Sequence, residues 1–198
     1  MNKFLSGILV VFIILVSCYG LYIYFSRGIH GIKTGELSGI VNMKRPDIIG
    51  FRDLKWGMSR QEVKRLQSTP IKDETDSVIM YQEKIDEDNA GVIYMFTPKD
   101  ELFAAMLVFD IKSENISVFS NKFREKYLIL TRKYGNATEY HDNELKKDGL
   151  HAVWEFAKTT IMLKLNYAQP YNKLALGLLY ANEFYGKQLM NDERLKKY

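Results

Sequence analysis

Residues 91–111 read GVIYMFTPKDELFAAMLVFDI. Two apolar runs, Gly91–Phe96 and Glu101–Ile111, flank the segment Thr97-Pro-Lys-Asp100. Proline presets φ near about −65° and aspartate can bond its own backbone, so this segment signals a hairpin turn with a mechanism. In the second run Phe103, Ala105, Leu107 and Phe109 fall on every other residue, the period of a strand with one face on a core. An antiparallel pair is therefore expected here. Upstream, Ser77–Ile85 is rich in β-forming residues, and the polar run Asp86-Glu-Asp-Asn89 leads to Gly91 as a solvated turn.

Helical patterns lie on either side of these strands. Ser59 followed by Glu62 is a capping box, in which the hydroxyl serves an orphan backbone N–H and the carboxylate reaches back to the cap. Val63 and Leu66 then share a face, and Thr69-Pro70 stops the helix. Asn115–Tyr134 carries Phe119, Phe123, Tyr127, Leu130 and Tyr134 at helical offsets, with Gly135 as its C-terminal cap. Three antiparallel strands are expected at Ala152–Phe156, Thr160–Tyr167 and Lys173–Tyr180, then a polar terminal helix from Asn182 to Tyr198. The two halves echo each other with a period of roughly 65 residues, which suggests a duplicated module. The expected fold class is α+β: an N-terminal transmembrane or signal helix, then a two-layer domain of duplicated helix plus antiparallel β-meander units. The units are placed at about 51–112 and 113–181, with the terminal helix at 182–198.

The chain begins differently. Phe4 to Phe25 contains no charged residue, and a helix needs about 20 apolar residues to cross a bilayer. Tyr19, Tyr22 and Tyr24 crowd its far end, where amphipathic rings favour the headgroups. Two readings share these residues. Residues 1–25 are an uncleaved single-pass anchor, or a signal segment whose Leu15-Val-Ser-Cys18 run is a bacterial lipobox that leaves Cys18 as the lipidated residue. Either delivers the chain to a membrane, with the domain on the extracytoplasmic side. Residues 26–50, with glycines at 28, 31, 35, 39 and 50, read as a flexible tether. The domain follows at 51–198.

Leu54-Lys-Trp-Gly-Met-Ser-Arg-Gln-Glu-Val-Lys-Arg-Leu66 resembles the opening helix of the small outer-membrane assembly lipoproteins, the SmpA/BamE superfamily. Gly57, Met58, Ser59, Val63 and Pro70 match its pattern, whereas Gln67-Ser-Thr69 lacks the glycine usual before the proline. In tandem, such units are similar to the fold of β-lactamase inhibitory proteins. The resemblance implies an envelope location and a scaffold-type role, and it carries no binding residues.

Composition and motifs bound the chemistry. The 28 basic and 24 acidic residues give a net charge of +4, and they are interspersed, so no nucleic-acid surface is indicated. Cys18 is the sole cysteine, so the domain relies on its core; 11 Phe, 13 Tyr and 2 Trp supply the bulk for one. No nucleophile elbow or phosphate loop occurs. The histidines are His30 in the tether and His141 and His151 flanking a turn-rich stretch, without the close spacing of a metal motif. His141 with Asp142 and Glu144 reads as a solvated loop. No catalytic, cofactor-binding or metal-binding residue is therefore expected, and no cofactor. The candidate interface residues are Trp56, His141 and His151, with Trp56 and Trp154 also suited to a core. The expected function is a membrane-anchored, non-catalytic scaffold or protein-binding module of the bacterial envelope. The alternative is an inhibitor-like module that binds an envelope enzyme. The expected partners are membrane lipid, through residues 4–25, and an unidentified protein.

Overall fold

The structure, a computed structural model, describes residues 45–142, 149–168 and 173–190. The segment Phe4–Phe25, Cys18, the first part of the tether and the last residues of the chain lie outside these. One compact unit comprises residues 44–166 and 175–198; the strand ends at 167–168 and 173–174 belong to a second.

A two-stranded antiparallel pair, β1 (Gly50–Phe51) and β2 (Leu54–Lys55), opens the domain. Then come α1 (Arg60–Leu66) and four strands: β3 (Ile71–Glu74), β4 (Val78–Ile85), β5 (Asp88–Phe96) and β6 (Leu102–Phe109). The long helix α2 (Ile116–Tyr134) precedes β7 (Glu139–His141), β8 (Leu150–Glu155), β9 (Thr159–Ala168) and β10 (Lys173–Asn182), and α3 (Glu183–Met190) follows. All eight of the later strands form one sheet in the order β3-β4-β5-β6-β10-β9-β8-β7.

This corrects the expected fold class. The described residues are mostly antiparallel β-sheet with a few helices, not a two-layer α+β domain of repeated modules. The helices α1 and α2 have 7 and 19 residues, too unequal to be copies of one covering layer. The strands do not stand as separate meanders either. β6 pairs with β10 from Ala104↔Ala181 to Phe109↔Leu176, because two separate meanders would each leave an unpaired row of N–H and C=O groups. Central placement also changes the burial of β6: Phe103, Ala105 and Leu107 are buried, and so are Ala104 and Met106 on its other face. A strand covered on both faces reads as a continuous apolar run. No helix among the described residues is long and apolar enough to cross a membrane.

Local signals act through side chains that tie neighbouring elements together. The capping box at α1 is present, with Ser59 accepting from the Glu62 N–H and Glu62 accepting from the Ser59 N–H at 2.8 Å. Arg60 fastens α1 to two turns. Its Nε lies 3.2 Å from Asp100, and its guanidinium donates to the carbonyls of Thr75 and Asp76 while resting over the Phe96 ring. The hairpin between β4 and β5 is tighter than the polar run implies: Ile85 pairs with Asp88, so Asp88 and Asn89 belong to the ladder and Asp86 takes a positive φ of 54°.

α2 crosses the joint between the two halves. Phe119, Phe123 and Leu130 are buried beneath it. On one side Tyr127 meets Trp154 at 5.8 Å, and the Trp154 indole donates to the Gly135 carbonyl at 2.8 Å. On the other, Lys126, 5 % exposed, places Nζ 2.8 Å from Asp88 and 5.1 Å from the centre of the Phe109 ring. Lys122 adds a second ammonium 3.0 Å from Asp88. Burial pushes the Asp88 carboxyl up, but the two lysines outweigh it and hold it below the ordinary aspartate value.

Replacing Asp88 with Asn removes the carboxylate nearest to the buried Lys126, leaving it Glu125 at 3.5 Å and Asp86 at 3.9 Å, and we expect a loss of about 2 kcal/mol at pH 7. Because the folded value of Asp88 is depressed, its contribution is complete above the unfolded value near about 3.9 and is lost as pH falls through the folded one. Urea midpoints of the two proteins therefore converge below about pH 4. A gap that is already absent at pH 7 contradicts the pairing.

Candidate functional site

Strand alternation and ladder register build one polar constellation. In β7, Tyr140 turns toward α2 and stacks on Tyr127 with ring centroids 4.3 Å apart. Its neighbours Glu139 and His141 therefore point to the opposite face of the sheet. The β7–β8 register sets His141 directly across from His151. Gly149 brings the chain into β8 with φ of 70°, and a Cβ there would lie 2.2 Å from the Leu165 carbonyl oxygen. Only glycine lets the backbone come in this close to β9, which fixes where His151 sits.

The three side chains converge on one oxygen. His141 Nε2 is 3.1 Å and His151 Nε2 3.0 Å from Glu139 Oε1. The imidazole rings lie 4.6 Å apart, tilted by 30°. The cluster is graded in exposure: the His151 side chain is 11 % exposed, Glu139 37 % and His141 61 %. One ligand atom from each residue lies within 4.8 Å of the others, and among the described residues this group could hold a metal ion. Glu155 stands two residues beyond Val153 on the same face. Burial, then the nearby charges of Glu183 and Glu139, raise its carboxyl above the usual range. Lys164 stands across from His151 in the β8–β9 ladder and brings a positive charge to the same side.

The other expected positions lie elsewhere. Trp56 is 9 % exposed and its indole donates to the Ile48 carbonyl at 2.9 Å. That carbonyl also accepts from the Thr159 hydroxyl, Asp47 accepts from the Lys158 N–H, and Arg45 donates to the Asn136 carbonyl. Residues 45–49, read from sequence as the end of a tether, are thus a strap bonded to Trp56 and to the second half of the domain at Asn136, Lys158 and Thr159. Asp142 receives the Tyr140 hydroxyl at 3.0 Å; burial and that bond push the Tyr140 phenol up to about 12. Cys18 and Glu144 lie outside the described residues.

Glu139 is the member that the sequence reading missed. The signal is present but short: Glu139-Tyr-His141 and Leu150-His-Ala152 each alternate over three residues, below the length at which a strand is recognised from pattern. Comparison of the chain with family models, with curated proteins and with solved structures returns no match.

The close approach at Gly149 is directly testable. Gly149→Ala meets both the positive φ and the Leu165 carbonyl, and we expect it to cost about 2 kcal/mol or more in a chemical denaturation series. Gly91→Ala, where an added methyl meets nothing within 4 Å, serves as the control and changes stability by less than about 1 kcal/mol. Equal effects at the two positions contradict this account of the turn into β8.

Proposed function

We propose that this chain is a non-catalytic binding module of a bacterial cell envelope, held at a membrane by residues 4–25 and engaging a protein partner through the outer face of α2. The observation that carries the reading is the exposure on that face. Leu128 is 54 % exposed, Ile129 42 % and Val118 40 %, although the helix already buries Phe119, Phe123 and Leu130 on its inner side. Eleven residues make close to three helical turns, so Val118 and Ile129 lie along one line, with Leu128 beside it. Exposed Arg124, Glu125 and Arg132 stand around them. Apolar anchors ringed by charged and polar groups are the usual anatomy of a protein interface.

Two further features support the location. Phe4–Phe25 is free of charge and long enough to span a bilayer. The segment 54–66, which ends in the capped helix Arg60–Leu66, resembles the opening of the envelope assembly lipoproteins.

The reading is tested by photo-crosslinking in intact membranes. A benzophenone side chain at Leu128 of the full chain should give a discrete adduct with one protein. The adduct should disappear with Ile129→Asp, a surface change expected to alter stability by only about 0.5 kcal/mol. The same probe at Lys99, on the exposed β5–β6 turn, should give none. No adduct at Leu128, or equal adducts at both positions, would overturn the proposal.

A further inference from the structure

We propose that Glu139, His141 and His151 bind a divalent metal ion of the zinc class, with three protein ligands and a fourth position open to solvent, clamping the edge strand β7 to β8. The donor set points to this class of ion. Two imidazole nitrogens and one carboxylate oxygen suit zinc and its transition-metal neighbours, whereas calcium and magnesium take six or more oxygens or keep most of their water.

The spacing fits as well. Bonds of about 2.0–2.2 Å in a tetrahedron separate the donor atoms by roughly 3.3–3.5 Å. The two nitrogens lie 3.1 and 3.0 Å from the carboxylate oxygen, and all three donor atoms are within 4.8 Å of one another. An ion therefore asks for changes in donor separation of a few tenths of an ångström up to about 1.5 Å. The His141 side chain, 61 % exposed, is free enough to make them. His151 is held in the ladder behind the Gly149 turn, and Glu139 and His141 are ladder residues of one strand, so the site is largely assembled before the ion arrives. Binding replaces the two imidazole contacts to Glu139 by bonds to the metal. Each ring then coordinates through the Nε2 lone pair and keeps its proton on Nδ1. A ring that carries a proton on Nε2 releases it to solvent as the ion binds.

The neighbourhood favours a cation. Glu155 adds a carboxylate near Glu139, offset in part by Lys164. Because β7 pairs over three residues only, a metal bridging it to β8 would add most to stability where the ladder is weakest. The cluster lies on the face of the sheet away from α2, so the fate of this site and that of the α2 surface are independent.

The test uses the full chain in detergent micelles, stripped of metal by chelator and dialysed. Titration with Co²⁺ alone should give the strong visible absorption of a four- or five-coordinate site, saturating at one ion per chain with a Kd of about 10 µM or tighter. One equivalent of Zn²⁺ should abolish that absorption. His141→Ala and Glu139→Gln should each weaken Co²⁺ binding by about 100-fold or more, with circular dichroism showing the fold retained, and His30→Ala should leave binding unchanged. The proposal is overturned by the weak spectrum of fully hydrated Co²⁺, by no saturation below about 1 mM, or by binding undiminished in both variants.

Discussion

The structure turns on the pairing of β6 with β10. Six consecutive residue pairs, from Ala104↔Ala181 to Phe109↔Leu176, join two runs of strands into one sheet. Bringing together segments some seventy residues apart carries a loop-closure cost that grows only with the logarithm of that distance. Burial on both faces of β6 offsets it, since Leu102 to Leu107 are all buried and Leu176 is fully so. The rows of side chains that cross from β5 to β10 are registered from this seam. Tyr94, Ala105 and Tyr180 fall on one line across β5, β6 and β10, and Phe51 packs onto both tyrosines.

Once the seam is set, α2 has one place to lie. Its inner face must cover β5 and β6 through Phe109 and Asp88 and also β7 and β8 through Tyr140 and Trp154. A buried lysine is costly unless paired, and Lys126 finds its nearest partner where the β4–β5 hairpin presents Asp88. The sheet then ends at β3 on one side and β7 on the other. Short, polar edge strands resist pairing with other chains, and β7 is both. The same shortness leaves two of its three side chains, Glu139 and His141, turned out to meet His151.

Much of the secondary structure was legible where the pattern ran long. The α2 helix, its Gly135 cap, the capping box at Ser59 and the β5–β6 hairpin all follow from residue spacing and turn chemistry. What was not legible depends on pairing over distance. Nothing in residues 104–109 names 176–181 as a partner, so the reading from sequence gives two repeated helix-plus-meander units where one sheet forms. Lys126 lies on the buried face of α2, but its charge argues for solvent until Asp88 is brought beneath it. The Glu139, His141 and His151 cluster was hidden for a related reason. Metal motifs are recognised by close spacing on one element, whereas these histidines are ten residues apart and meet only through an antiparallel register.

Native-state hydrogen exchange measures the seam most directly. If β6 and β10 hold the two halves as one cooperative unit, the amides of Met106, Leu107, Leu178 and Leu179 exchange only through global unfolding. Their free energy then equals that of the most protected amides in both β5 and β9. Two distinct levels, one shared by β4 to β6 and another by β8 to β10, would contradict a sheet that folds and unfolds as one.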